Sequence, residues 1–137
     1  MMTAVDVAQH RRATNDGVDV CATAGVSNAV YAADLDSTDN ASGPPGVGTI
    51  NIVAVIPAPL SAAAMVNMVA TITEAKTQAL HDHGVAGTGT ASDAVCVCTT
   101  TSGTPDAFGG PRSTWGQRCA NATYQAVAAG ITHHPAG

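Results

Sequence analysis

The pattern of apolar and polar residues predicts three β-strands. Residues 18–23 alternate β-forming side chains and predict a strand that ends at Gly25. Residues 49–56 (T-I-N-I-V-A-V-I) are nearly all apolar, which is typical of a central strand. Residues 94–99 predict a third strand, which follows a loop of small residues.

Three predicted helices accompany these strands. Residues 4–13 predict a short helix with Thr3 as its N-cap. Residues 61–83 carry the longest helical pattern, with Ser61 as a good cap, and residues 113–129 predict a last helix. The order helix, strand, strand, helix, strand, helix indicates an α+β fold: a single domain with a mixed sheet covered by helices.

The connecting segments are rich in turn-forming residues. Residues 26–33 predict a turn or a short helix. Residues 35–46, which include Pro44-Pro45, and residues 100–111 predict loops.

One lysine interrupts the apolar side of the long helix. At 100° per residue, one side carries Met65, Met68, Val69, Ile72, Ala79 and Leu80, and the other carries Asn67, Thr71, Glu74, Gln78 and His81. Lys76 projects within about 20° of Met65. Either its methylenes lead the ammonium group out to solvent, or it points into a pocket between helix and sheet and contacts a carboxylate or a substrate oxygen.

Composition excludes several classes of protein. The chain of 137 residues is 45% hydrophobic and 11% charged, which argues against disorder. Aromatics make up only 3%, so the core must be built from small aliphatic residues in closely approaching layers. The net charge is −5 without a basic stripe, which argues against nucleic-acid binding. No apolar run approaches the roughly 20 residues of a membrane span, and the start lacks a signal peptide's charged region, so a cytoplasmic protein is expected.

The cysteines do not have the spacing of a metal site. Cys21, Cys96, Cys98 and Cys119 would be reduced in a cytoplasmic protein, and we expect them to be small core residues. Cys96 and Cys98 share one strand face, but Cys-x2-Cys zinc spacing is missing. We therefore predict no metal and no cofactor.

Five segments, taken in order, resemble the adenosylcobinamide amidohydrolase family. They are residues 23–29 (T-A-G-V-S-N-A), 48–52 (G-T-I-N-I), 73–76 (T-E-A-K), 88–94 (T-G-T-A-S-D-A) and the closing Gly110-Pro111, Gly116 and 124–127 (Y-Q-A-V). Ala91 and Ser92 depart from the Gly and Thr that are usual in the family, and Ala91 would resist a positive φ. Met1 to Ala4 resembles an interior stretch of the family, so we expect the domain to be N-terminally truncated, with sheet edges exposed.

The resemblance implies hydrolysis of the amide that joins the corrin side chain to aminopropanol in adenosylcobinamide, giving adenosylcobyric acid for cobamide salvage. Such a reaction needs an activated water or nucleophile, donors for an oxyanion, and an acid for the leaving amine. The implied partner is the corrinoid substrate, without nucleic acid or membrane, and a homo-oligomer stays open.

The candidate catalytic residues come from the resembling segments. Asp93 is the first candidate for a base, although an aspartate there could equally cap its own loop. Glu74 is a candidate acid or base, but its place on the polar side of the helix favours a solvated surface residue. Ser27 is a candidate nucleophile with Lys76 as its partner, or simply a turn residue.

The candidate substrate-binding residues are polar. Asn51 is the one polar side chain in its apolar strand and needs a hydrogen-bond partner. It either bonds across the sheet or joins Asn28 in binding corrin amides, and Thr88 and Thr90 could contribute in the same way. The alternatives to an enzyme are a corrinoid-binding module without turnover and an incomplete structural fragment.

Overall fold

Residues 1–3, 5–34 and 48–133 are described by the structure, a computed structural model. Four strands form one sheet in the order β1-β2-β3-β4: β1 (Arg11–Asn15), β2 (Val18–Gly25), β3 (Thr49–Ile56) and β4 (Ala94–Thr99). The two helices are α1 (Ala62–Asp82) and α2 (Thr114–His133). Strand pairing is antiparallel except between β3 and β4, which are parallel. The predicted α+β fold with a mixed sheet is thus confirmed.

A hairpin replaces the helix predicted over residues 4–13. Asn15 pairs with Val18, so that only Asp16 and Gly17 form the loop, with φ angles of 44° and 91°. A two-residue loop with both φ angles positive suits the twist of the flanking strands, and Asp-Gly favours it. The helix prediction was wrong because pairing with β2 outweighs weak helical propensity, and only the 3-10 turn Val7–Gln9 precedes β1.

Strand β3 lies inside the sheet, as its apolar sequence predicts. Ile50, Ile52, Ala54 and Ile56 are buried in the same core as residues from both helices. Helix α1 connects β3 to the parallel strand β4, so it is the crossover of a βαβ unit. Both helices therefore cover one face of the sheet.

Helix α1 covers the predicted residues, but the side that it buries differs in part from the predicted one. The Ser61 side chain caps it by accepting from the Ala64 nitrogen at 3.1 Å. Two residues reverse their predicted sides: Val69 is 40% exposed, and Thr71 is 2% exposed. The Thr71 hydroxyl donates to the Gly109 oxygen at 2.9 Å, because the loop before α2 packs on the side that was expected to face solvent.

Small residues bring helix α2 close to the sheet, as the aromatic-poor composition predicts. A Cβ atom on Gly130 would lie 2.8 Å from the Cβ of Ala24 on β2. Helix α2 also extends to His133, four residues beyond the predicted end at Ala129. Neither described helix has the length and apolarity that crossing a membrane requires.

The other face of the sheet, which we call the open face, carries the alternate residues of the same strands. Cys96 and Cys98 lie there and are exposed, whereas Cys119 on α2 is buried. The expectation that the cysteines are core residues was therefore wrong for Cys96 and Cys98, because β4 is an edge strand and their side chains point away from the helices. Residues 26–33 contain turns but no helix, and the loop predicted over residues 35–46 lies outside the described residues.

Candidate active site

A pocket with Lys76 and Asp93 in its wall lies where the sheet meets helix α1. Its volume is about 330 Å³. Because β3 and β4 are parallel, both strands begin at this edge of the sheet, and Asp93 immediately precedes β4. The pocket is lined by α1 residues, by the segment before β4 and by part of the segment after β2: Thr73, Lys76, Thr77, Thr88, Gly89, Thr90, Ala91, Asp93, Val30 and Ala32.

Lys76 is held inside this pocket by a carboxylate. It is only 7% exposed, and its Nζ lies 2.6 Å from Oδ2 of Asp93. Ile72 and Leu80, one helical turn away on either side, are fully buried, which places the lysine stem in the apolar interface. The alternative in which Lys76 extends to solvent was therefore wrong, and the ammonium group contacts a carboxylate as the second alternative requires.

Asp93 accepts four hydrogen bonds, which occupy both of its oxygens. Oδ1 accepts from the Ile50 nitrogen at 2.9 Å and from the Thr90 hydroxyl at 2.5 Å. Oδ2 accepts from Lys76 and from the Thr90 nitrogen at 3.1 Å. A carboxylate has about four lone-pair positions, so all of them are used. Asp93 therefore caps its own loop, joins that loop to β3 and anchors the lysine.

The two predicted threonines are part of the same structure. The Thr88 hydroxyl accepts from the Ala32 nitrogen at 2.9 Å, which ties the segment after β2 to the loop before β4. The Thr90 hydroxyl is committed to Asp93. Both residues line the pocket, but their hydroxyls already make internal bonds.

The other predicted catalytic residues lie elsewhere. Glu74 is exposed on the far side of α1 and does not line the pocket. Ser27 lines a separate cavity of about 540 Å³, together with His83 and Ile131 at the ends of the two helices. The described contacts of Lys76 do not include Ser27.

The two predicted asparagines also lie outside the pocket lining. Asn28 is close to it: a Cβ atom on Gly48 would lie 3.2 Å from the Asn28 nitrogen and 3.4 Å from Cγ2 of Thr90. Asn51 belongs to the open face, where its Nδ2 donates to the Met2 oxygen at 2.8 Å, and its buried Oδ1 has no partner among the described residues. The structure thus brings together Lys76, Asp93 and the two threonines, with Asn28 at their edge.

Sequence reasoning missed Gly89, which makes room for the ion pair. A Cβ atom on this glycine would collide with Oδ2 of Asp93 and with Nζ of Lys76. The T-G-T pattern was the available signal, but the need for a glycine became visible only once Lys76 was placed over it. Thr73, three residues before Lys76, and Thr77, directly after it, were also missed. Ala91 adopts no positive φ, so its substitution for the family's glycine strains nothing.

The fold and the site define an α+β domain with a pocket built around a buried lysine and its carboxylate partner. The family model for adenosylcobinamide amidohydrolase matches residues 1–136. The chain therefore belongs to the adenosylcobinamide amidohydrolase family, as the resemblance of its five segments indicates. No curated protein and no solved structure matches it significantly.

Proposed function

We propose that this protein hydrolyses the amide between the corrin side chain and aminopropanol in adenosylcobinamide, releasing adenosylcobyric acid and aminopropanol. Membership of the family supports an amidohydrolase that acts on this corrinoid. The observation that carries the assignment of the site is the buried Lys76, held by Asp93 at the wall of the pocket. Free cysteines throughout the chain are compatible with the reducing cytoplasm that we expect.

In this proposal Lys76 stabilises the oxyanion of the tetrahedral intermediate. A lysine ammonium group has three N–H donors, and Asp93 takes one of them. The other two are available to a substrate carbonyl oxygen, which gains negative charge when water attacks the amide carbon. A donor that is already in place and shielded from bulk water stabilises that charge without reorganisation.

The role that we propose for Asp93 is positioning rather than proton abstraction. A general base needs a free lone pair directed at the attacking water, and the four hydrogen bonds occupy those of Asp93. Its negative charge keeps the ammonium group inside the pocket. Thr90 and Ile50 in turn hold the carboxylate, so the lysine is fixed through the start of β3.

The size of the pocket supports entry by a side chain and not by the whole ligand. A volume of about 330 Å³ is at the lower end of small-molecule sites. It accommodates an amide with its amino alcohol, whereas the corrin ring would remain outside. Thr73 and Thr77 on α1 also line the pocket. Because their hydroxyls already donate to backbone oxygens of Val69, Thr73 and Thr88, they offer the amide side chain only acceptor positions.

The test compares Lys76→Met with Glu74→Gln on the same helix. We expect Lys76→Met to lower kcat for aminopropanol release by about 10²–10³-fold, the usual cost of losing one oxyanion donor. The Met variant should still fold, because Asp93 keeps three other hydrogen bonds. Glu74→Gln should keep wild-type turnover, since Glu74 is exposed and outside the pocket. Product is measured by chromatography, and folding by thermal melting.

Three outcomes would contradict the proposal. Unchanged turnover in Lys76→Met would remove the lysine from the mechanism, and loss of turnover in Glu74→Gln would restore the exposed carboxylate as acid or base. A ligand-induced thermal shift without product in the wild type would favour a corrinoid-binding module.

Asp93→Asn separates positioning from direct proton transfer. An amide NH2 group in place of Oδ2 would face two other donors, Lys76 Nζ and the Thr90 nitrogen, instead of accepting from them. The hydrogen bond that anchors Lys76 and the one that closes the loop before β4 should therefore both be lost. We expect a lower melting temperature together with lower kcat. A full loss of kcat at an unchanged melting temperature would instead indicate that Asp93 acts as the base.

A further inference from the structure

The open face of the sheet carries a pair of thiols that the proposed reaction does not use. Cys96 and Cys98 alternate with Val95 and Val97 along β4 and pair in register with Val53 and Val55 of β3. Both cysteines are exposed, and their sulfurs are 3.9 Å apart. They lie on the face opposite the helices, and therefore away from Lys76.

The strand geometry keeps these sulfurs close without joining them. Residues two apart in a strand have Cα atoms about 6.6–6.8 Å apart, which is the upper end of the range of about 4.4–6.8 Å that disulfides span. The two sulfurs, at 3.9 Å, are not bonded. The pair remains a dithiol held at a defined separation.

The separation corresponds to that of two thiolates on one metal ion. Zinc–sulfur bonds of about 2.3 Å at a tetrahedral angle place two sulfurs about 3.8 Å apart, close to the 3.9 Å between Cys96 and Cys98. Thiolate ligands select soft or borderline cations such as Zn²⁺. The prediction of no metal rested on the lack of Cys-x2-Cys spacing. In a strand, however, residues two apart lie on the same face, so Cys-x-Cys spacing also places two sulfurs side by side.

We propose that Cys96 and Cys98 form a two-thiolate chelate for a thiophilic d¹⁰ cation of the zinc class. Binding replaces two S–H bonds by two sulfur–metal bonds and releases both protons to solvent. Among the described residues no group of three or more His, Cys, Asp or Glu could hold a metal ion, so water or a small exogenous ligand would complete the coordination of the two thiolates. Cys21 does not complete the site, because it is in register with Val53, which is itself paired with Cys96. Two strand spacings of about 4.8 Å therefore separate it from the pair.

The test is titration of the reduced protein with Cd²⁺, whose thiolate charge-transfer absorption reports sulfur ligation directly. We expect the wild type and Cys21→Ser to develop the band equally. Cys96→Ser and Cys98→Ser should each weaken binding by about 10²-fold or more, because a chelate is reduced to a single ligand. Binding should leave amide hydrolysis unchanged, which separates this site from the proposed function.

A second measurement does not depend on the variants. Bound Cd²⁺ should protect Cys96 and Cys98 of the wild type from alkylation, mapped by peptide mass, while Cys21 keeps its own rate. The proposal is overturned if the wild type shows no thiolate band, if the band persists in the double serine variant, or if alkylation of the pair is unaffected by the metal.

Discussion

The two faces of the sheet are built from the same strands but have different chemistry. Toward the helices, β3 directs Ile50, Ile52, Ala54 and Ile56 into an apolar core, at whose edge Lys76 and Asp93 form a largely buried ion pair. Toward the open face, its alternate residues lie beside thiols, hydroxyls and the exposed Arg12–Asp19 pair. The two environments arise because the helices bury one set of alternate residues of β3 and leave Val55 of the other set exposed. The same apolar strand contributes to a dry core on one side and to a candidate ligand site on the other.

The largest difference between the two faces is expected in how much the side chains of β3 contribute to the free energy of unfolding. Ile52→Ala should lower the free energy of unfolding by about 2–5 kcal/mol, because the side chain is fully buried and leaves a cavity. Val55→Ala, on the same strand but 48% exposed, should cost less than about 1 kcal/mol. Urea denaturation of both variants measures the contrast, and equal costs would mean that the open face is covered in solution.

A smaller effect is expected from the thiol on the helix-covered side. Burial raises the pKa of Cys119 from 9.0 to about 11. Since the folded state holds this proton more tightly, the stabilisation is complete below pH 9 and is lost as the pH rises toward 11. The loss should be on the order of 2–3 kcal/mol.

Comparison with Cys119→Ala isolates this thiol. The pKa of Cys98 is raised by its hydrogen bond with Cys96, and that of Tyr124 by burial, so both contribute in the same alkaline range. Denaturation of the wild type and of the variant is measured at about pH 8.5, below both pKa values of Cys119, and at about pH 10.5, between them. The difference between the two proteins in the free energy of unfolding lost over this range is the contribution of Cys119. Identical alkaline losses in the two proteins would show that Cys119 ionises without penalty.

The smallest effect is expected from the ion pair on the open face. Arg12→Gln should leave the unfolding free energy within experimental error at neutral pH, because the Arg12 side chain is largely exposed. The hydrogen bond from Arg12 lowers the pKa of Asp19 below 3.8, so any stabilisation is present above that pH and is lost on further acidification. A clear loss of unfolding free energy in Arg12→Gln at neutral pH would contradict the expectation that this exposed ion pair adds little stability.

The long elements of the fold were predictable because their patterns are strong over many residues. Residues 49–56 and 61–83 became β3 and α1 with little change in their limits. Strand β1 was missed, because five residues with two arginines carry no apolar alternation. The Asp16-Gly17 pair was the sequence signal for that hairpin. The signal is meaningful only because β2 follows it and pairs with β1.

The site was predictable in part. Lys76 stood out because a charged residue interrupted an apolar stripe, and Asp93 because it lay where a loop of small residues enters a strand. The relation between them was not predictable, because seventeen positions separate them and only the packing of α1 on the sheet brings them to 2.6 Å. The same packing puts Ser27 in another cavity and Asn51 on the other face.

Local sequence patterns were enough to establish β2, β3, β4, the two long helices, the small-residue layers and the family, because these depend on local periodicity and on short ordered motifs. Which charges meet, which face of β3 is buried and which cysteines are exposed became visible only in the folded chain. Each of those properties is a relation between side chains distant in the chain. It is set by how the two helices cover one face of the sheet while Val55, Cys96 and Cys98 stay exposed on the other.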